Sequence, residues 1–177
     1  MDKSTKKLVL AAVLGAVSFI LMFIAFPIIP IVPYMKLDFS DLVILIGALI
    51  YNKKEGYVIL GIKEILYLLF VGPSFANIIG VLSDALAGFI LIKILGDKIL
   101  SSNWKYLITK ETLILSITMS LANAFILLPI YTNVIGMKLT FPIWEIVLIG
   151  VIPFNLIKGI VVGLLFRLAA LKVKTQL

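Results

Sequence analysis

Cysteine and histidine are absent from the 177 residues, and charged side chains make up only 14% of them. The missing cysteine excludes disulfides and thiolate nucleophiles, and the missing histidine excludes imidazole bases. Together the two absences exclude nearly every zinc or haem site. Any function must therefore come from carboxylates, amines, amides, hydroxyls and the shape of a binding site.

Hydrophobic residues, in contrast, make up 62% of the chain. An ordinary soluble domain has roughly 45–50% apolar and about 25% charged residues, so this composition predicts a membrane protein. Lysines precede the first apolar run, as in a signal peptide, but the run ends at Phe26-Pro27 without a small-residue cleavage site. We therefore expect the first run to be a retained helix.

Six apolar stretches predict an all-α protein with six transmembrane helices in a compact bundle. Their approximate bounds are residues 8–26, 39–51, 57–70, 78–95, 113–131 and 145–171, the last interrupted by Pro153. No linker or change in composition divides the chain. Residues 1–177 are therefore predicted to form a single membrane domain.

The distribution of basic residues predicts the orientation of this bundle. With the N-terminus in the cytoplasm, twelve Lys and Arg residues fall on the cytoplasmic side, and only Lys36 and Lys138 fall outside. This asymmetry follows the positive-inside rule and places both termini in the cytoplasm. It also accounts for most of the net charge of +7 without a nucleic-acid partner.

Four charged residues lie inside the apolar stretches: Lys63, Glu64, Asp84 and Lys158. Such charges cost at least about 2.5–3.5 kcal/mol in a membrane and usually face the bundle interior. Lys63 and Glu64 point about 100° apart on a helix, so we expect no simple neutralisation between them. Asp84 can pair with Lys63, either as a structural ion pair or as part of a ligand site.

Further polar residues mark the fifth and sixth stretches. Asn155 and Lys158 share one helix face, and Asn123 continues a line of serines formed by Ser116 and Ser120. Hydrogen bonding between helices is one interpretation of this pattern. Two amides and an ammonium that converge from two helices also suit a pocket for a polar small molecule.

The polar segment 34–41 is predicted to lie outside, between the first two helices. Three prolines stiffen its approach, and Ser40 or Asp41 can cap the next helix. We expect the segment to act as a lid over the outer end of the bundle. In the first helix, Ala12 and Ala16 belong to a patch of small residues that suits either a partner helix or internal packing.

Three blocks of the sequence resemble motifs of the substrate-binding (S) components of energy-coupling factor (ECF) transporters, most closely the riboflavin-specific type. Residues 33–41 read Pro-Tyr-Met-Lys-Leu-Asp-Phe-Ser-Asp and are similar to the family's first-loop signature. Residues 123–132 resemble the fifth-helix motif, and residues 150–159, with Pro-Phe-Asn-Leu-Ile-Lys-Gly, the sixth-helix motif. The order and spacing of the blocks are those of the family.

The resemblance implies a vitamin-binding membrane subunit of a prokaryotic importer, with riboflavin as the transported ligand and no cofactor. It also implies a partner module of one transmembrane coupling protein and two ATPases. Asn123, Asn155 and Lys158 match the family's polar ligand contacts, and Ala12 and Ala16 match its contact with the coupling protein. The stretch Lys36, Leu37, Asp38 and Phe39 matches the lid, and Lys63 and Asp84 complete our list of expected substrate-binding residues.

Two positions depart from the riboflavin-type pattern. Lys63-Glu64 stands where such members usually have Lys-Asn, and Ser83-Asp84-Ala85 stands where they usually have Ala-Asn-Phe. Both positions lie near the expected pocket, so pantothenate, pyridoxine and a hydroxymethylpyrimidine stay open as alternative ligands.

Two other classes of function fit the sequence less well. An intramembrane enzyme has a candidate carboxylate pair in Asp38 and Asp41, but these residues lack an acid–base partner. A self-sufficient secondary carrier lacks the inverted repeat that carriers usually show. The sequence contains no Gly-x-x-x-x-Gly-Lys-Ser/Thr run for ATP, so we expect partner subunits to supply the energy.

Overall fold

The described residues, 3–174, form six helices in a computed structural model of the chain. The helices are α1 (Lys3–Met22), α2 (Ser40–Ile50), α3 (Lys53–Val71), α4 (Phe75–Ile94), α5 (Trp104–Asn133) and α6 (Ile143–Lys174). Two short strands, β1 (Ala25–Pro27) and β2 (Lys36–Asp38), form an antiparallel pair between α1 and α2. The six-helix prediction is confirmed, and the strand pair is an addition to it.

Length and composition divide these helices into two groups. Among the described residues, α1, α4, α5 and α6 are long and apolar enough to cross a membrane. Helix α3 has 19 residues but carries Lys63 and Glu64 in its middle. Helix α2 has 11 residues and is about 16 Å long, roughly half the thickness of a hydrocarbon core.

The observed bounds differ from the predicted ones where polar residues or proline occur. Helix α5 begins at Trp104 rather than near residue 113, because Lys110 and Glu111 continue the helix although they end the apolar run. Helix α1 ends at Met22 because the residues that follow it turn into β1. Pro153 does not interrupt α6. A π-helical turn over Val147–Val151 precedes it, where the hydrogen-bond pattern shifts and accommodates the missing N–H.

The main apolar core lies at the end of the bundle where α1 begins and α6 ends, which we call the terminal end. There α1, α2 and α3 pack on one another, and α2 also packs against α6. The buried core residues include Leu45, Ile59, Leu91 and Phe166. We call the opposite end, which carries residues 23–39, the lid end.

Helices α5 and α6 make the most extensive contact of the fold. Gly159 and Gly163 permit it, as the small-xxx-small spacing predicts. A Cβ added at Gly159 would lie 2.6 Å from Thr112 Oγ1, and one at Gly163 would lie 3.0 Å from Ile108 side-chain carbons. This close crossing sets the position of the neighbouring residue Lys158.

Candidate functional site

A cavity of about 600 Å³ opens at the lid end of the bundle. Its volume lies within the range of about 300–1,000 Å³ that is typical of small-molecule sites. Its wall is formed by five helices, α1, α3, α4, α5 and α6, together with the segment between α1 and α2. The polar and tyrosine side chains on the wall are Tyr34, Lys36, Asp38, Tyr67, Asn77, Ser83, Asp84, Asn123, Tyr131, Asn155 and Lys158.

We call the segment of residues 23–39, which contains most of the expected lid residues 34–41, the lid. Its two strands pair with Ala25 opposite Asp38, Phe26 opposite Leu37 and Pro27 opposite Lys36. Between the strands, Val32 is fully buried and packs in a second apolar cluster with residues of α5 and α6. A Cβ at Gly150 would lie 2.6 Å from Val32 Cγ1, so the glycine provides the space in which the lid rests on α6.

The junction between the lid and α2 corrects one expectation from the sequence. Neither Ser40 nor Asp41 caps the helix; instead, the Ser40 backbone N–H donates to Asp38 Oδ1 over 2.7 Å. Ser40 joins the junction to other helices, because its carbonyl accepts from Ser18 Oγ at 3.0 Å. The Lys63 ammonium also donates to Ser40 Oγ over 3.4 Å. Helices α1 and α3 therefore both hold the start of α2.

Asn123 and Asn155 lie on the adjacent helices α5 and α6, at or near two π-helical turns that pack on each other. One turn spans Asn123–Leu127 and the other Val147–Val151. Each carboxamide NH₂ group donates to its own helix over 2.8 Å, from Asn123 to the Met119 carbonyl and from Asn155 to the Val151 carbonyl. The carboxamide oxygen of each side chain is thus left to accept a hydrogen bond from a ligand.

The charged residues form one connected cluster at the floor of the cavity. Lys158 Nζ lies 2.9 Å from Asp41 Oδ2 and 3.7 Å from Asp84 Oδ1. Lys63 is fully buried, and its ammonium donates to Asp84 Oδ2, as the sequence predicts. Two cations thus share Asp84, and burial of these charges is possible because each has a partner.

The expectation that Lys63 and Glu64, as neighbours on a helix, do not neutralise each other is wrong. Lys63 Nζ lies 3.1 Å from Glu64 Oε1, because the two long side chains bend toward a common point. The two groups are close enough for an ion pair, but their geometry does not meet the angles of a hydrogen bond. Within residues 3–174, neither carboxylate oxygen of Glu64 has a hydrogen-bond partner.

Asp38 lines the cavity, and its carboxylate also accepts a hydrogen bond from the backbone N–H of Ser40, the first residue of α2. Burial raises the pKa of its carboxyl, and repulsion from Asp41 raises it further. Attraction to Lys158 and the hydrogen bond from Ser40 act in the opposite direction, but the net shift is upward. The lid therefore carries a carboxyl that is protonated more readily than an exposed one.

The arrangement of six helices, a strand pair between α1 and α2 and a polar cavity agrees with the comparisons to known proteins. The family model for the substrate-specific component of ECF transporters matches residues 6–169. The chain belongs to this family. It is thus a substrate-binding component of a transporter rather than an enzyme.

Similar proteins and a solved structure extend this S-component assignment over the whole chain. The riboflavin transporter RibU of Staphylococcus aureus (strain TCH60) is 34% identical, and the match covers 94% of this chain and 89% of that protein. The riboflavin transporter FmnP of Bacillus subtilis (strain 168) is 33% identical, with 96% and 92% covered. A solved S component of a bacterial ECF transporter superposes with a TM-score of 0.78 at 31% identity, covering 98% of each chain.

Six of the nine substrate-binding residues predicted for this S component lie on the cavity wall. They are Lys36, Asp38, Asp84, Asn123, Asn155 and Lys158. Among the described residues, the other three lie off the wall. Leu37 packs against the core cluster, and Phe39 stacks edge-on against Phe26 at 6.5 Å. Lys63 lies behind Asp84, whose carboxylate it holds.

The aromatic residues of the cavity wall were not predicted from the sequence as substrate-binding residues. Tyr67 lies one helical turn after Lys63, which is a signal that could have identified it. Tyr131 donates to the Ala76 carbonyl over 3.3 Å and so links α5 to the start of α4. Tyr34 and Phe154 also line the wall. These rings give the S component flat apolar surfaces beside its polar groups.

The small residues of α1 separate into two faces. Ala11 and Gly15 are buried, and a Cβ at Gly15 would meet the Ile62 side chain of α3. Ala12 is exposed and Ala16 is half-buried on the other side of the helix. Internal packing therefore uses one small-xxx-small pair of the S component, and the other pair faces outward.

Proposed function

We propose that this S component binds riboflavin in the cavity under the lid and imports it across the cell membrane of a prokaryote. The protein is multi-pass, with the terminal end in the cytoplasm and the lid end outside. Relatives named riboflavin transporters match over most of the chain, which supports this ligand. Riboflavin is the transported molecule in this scheme, and no cofactor takes part.

The cavity itself is the observation that carries the proposal. Riboflavin has a flat three-ring system and a chain of hydroxyl groups. Tyr67, Tyr131 and Phe154 supply aromatic surfaces for the rings. The carboxamide oxygens of Asn123 and Asn155 accept hydrogen bonds, and Lys158 donates them. Asp84 adds an acceptor that Lys63 holds in place, and Lys36 and Asp38 contact the ligand from the lid.

Energy for uptake comes from partners in this proposal. As the resemblance to ECF S components implies, a coupling protein and two ATPase subunits bind the S component and drive release into the cytoplasm. The sequence itself has no P-loop. The outward face of α1 with Ala12 and Ala16 is the contact for the coupling protein, because small residues allow a helix to approach closely.

Titration of riboflavin fluorescence tests ligand and site together. We expect the purified protein in detergent to quench the fluorescence with 1:1 stoichiometry. Lys158→Ala and Asn155→Ala each remove a hydrogen bond to the ligand, so the Kd should rise about 10-fold to 100-fold. Lys138→Ala and Asn133→Ala are matched controls on exposed residues of the lid end and should leave the Kd unchanged.

Other outcomes separate the alternatives. Binding of pantothenate, pyridoxine or a hydroxymethylpyrimidine without riboflavin quenching would overturn the ligand but not the class of protein. Uptake of riboflavin into proteoliposomes that contain this chain alone would contradict the need for a coupling module and would indicate a secondary carrier.

A further inference from the structure

Asp41 is a buried carboxylate that the sequence offered as a helix cap or as one of a carboxylate pair with Asp38; the backbone N–H at the start of α2 donates to Asp38 instead. Asp41 lies in the first turn of α2 and is 2% exposed. Its Oδ2 atom lies 2.9 Å from Lys158 Nζ on α6. Among the described residues, it stands behind Lys158 rather than on the cavity wall. Its position raises the question of what this carboxylate does for the site.

We propose that Asp41 is a positioning residue that directs the Lys158 ammonium into the cavity. This inference rests on the proposed function, in which Lys158 contacts the ligand. An ammonium group has three donors. One points to Asp41, and Asp84 lies on a second side at the longer distance of 3.7 Å. The remaining donor is available to a ligand in the cavity, whose wall includes Lys158.

Asp84 alone does not hold Lys158 in the same way. One of its oxygens already accepts from Lys63, whose side chain is more deeply buried than those of Asp41 and Asp84. Without the charge of Asp41, this shared carboxylate on the α4 side of the cavity is the one left within 4 Å of the Lys158 ammonium among residues 3–174. A lysine side chain is long and flexible, so its ammonium would move toward Asp84 and away from its place opposite the ligand.

The same carboxylate joins the ligand site to the lid. Asp41 follows β2 by three residues, and the lid residues Lys36 and Asp38 line the cavity. The neighbouring Ser40 is tied to α1 and α3 through Ser18 and Lys63. The ion pair with Lys158 adds α6 to these anchors. Asp41 therefore holds the base of the lid in register with the ammonium that the ligand contacts.

A double-mutant cycle on riboflavin binding tests this role. Asp41→Asn should raise the Kd about 10-fold to 100-fold, because it removes a charge-assisted hydrogen bond to a ligand-contacting group. In a Lys158→Met background the same change should alter the Kd less than about 2-fold, because no ammonium is left to direct. Asp41→Glu keeps the charge and should retain more affinity than Asp41→Asn.

Asp97→Asn is the matched control. Asp97 Oδ1 also lies 2.9 Å from a lysine ammonium, that of Lys53, but Asp97 is exposed, Lys53 is only half-buried, and neither lies on the cavity wall. Loss of this pair should leave the Kd unchanged. If Asp41→Asn yields no monodisperse protein, Asp41→Glu takes its place in the cycle. It should raise the Kd about 3-fold to 10-fold when Lys158 is present and leave the Kd unchanged in the Lys158→Met background.

Two results would overturn the role of Asp41. In one, Asp41→Asn binds riboflavin as tightly as the wild type. In the other, Asp41→Asn raises the Kd by the same factor in the wild-type and the Lys158→Met backgrounds, which indicates a purely structural effect on the lid. Failure of the wild type to quench riboflavin fluorescence counts against the proposed ligand instead. In that case the cycle is measured with the vitamin that mass spectrometry identifies in the purified protein.

Discussion

Alanine at Gly159 should push α5 and α6 apart at the level of the ligand site. The added Cβ would lie 2.6 Å from Thr112 Oγ1 and 2.9 Å from Thr112 Cα. The hydroxyl can rotate away, but the Cα belongs to the backbone of α5, so the helix itself must move. Over-packing of this kind costs about 1–3 kcal/mol, and the better helix propensity of alanine offsets up to about 1 kcal/mol. We expect a net loss of about 1–2 kcal/mol in the free energy of unfolding.

Gly61→Ala is the matched comparison for this change. Gly61 lies within α3, is half-buried, and has no described atom within 4 Å of its added Cβ. Alanine there should be neutral or should stabilise the helix by up to about 1 kcal/mol. Thermal unfolding in detergent should therefore give Gly159→Ala a Tm about 2–12 °C below that of Gly61→Ala.

A third variant separates side-chain from backbone contact. Thr112→Ala in the Gly159→Ala protein removes the hydroxyl but leaves Cα and Cβ in place. It should restore only part of the lost Tm. Equal Tm values for Gly159→Ala and Gly61→Ala, or full recovery by Thr112→Ala, would refute the close backbone crossing.

Two further predictions concern the lid and the partner surface. Burial raises the pKa of Asp38, so above about pH 4 the folded chain keeps the proton of this carboxyl while the unfolded chain loses it. The contribution of Asp38 to the free energy of unfolding therefore falls as the pH rises above about 4. As the pH rises from about 4, the Tm of the wild type should fall relative to that of Asp38→Asn; parallel curves would contradict the shift. Ala12→Trp adds bulk to the outward face of α1, so riboflavin binding should persist while uptake with the coupling protein and ATPases is lost. Ile117→Trp, on an exposed position of α5, should leave both unchanged, and uptake by Ala12→Trp at the wild-type rate would exclude this face.

The helices were predictable because a membrane demands long apolar runs, which composition reveals directly. The pairing of Lys63 with Asp84 was also predictable, since a buried charge needs a partner and few were available. The strands β1 and β2 were not, because each has only three residues and their pairing depends on how the lid rests on α5 and α6. The helical path through Pro153 depends on the preceding π-helical turn, for which the sequence carries no clear signal.

Site residues were predictable where a polar group lies within an apolar helix, and they were not predictable where the residue type is common at that depth. Asn123, Asn155 and Lys158 stood out as polar groups within apolar helices, and all three line the cavity. Tyr67 and Tyr131 did not, because tyrosine is an ordinary residue near membrane surfaces. Asp41 looked like a helix cap, and only the fold shows its carboxylate beside an ammonium 117 residues later in the chain.

The compound that co-purifies with the protein from cells tests the central claim most directly. Absorbance and mass spectrometry of the denatured sample should identify riboflavin at about one molecule per chain, and the purified protein should be yellow. Lys158→Ala should carry less of it, and Lys138→Ala should carry as much as the wild type. A different vitamin at that stoichiometry, or an equal amount of riboflavin in both lysine variants, would contradict the proposed ligand or its site.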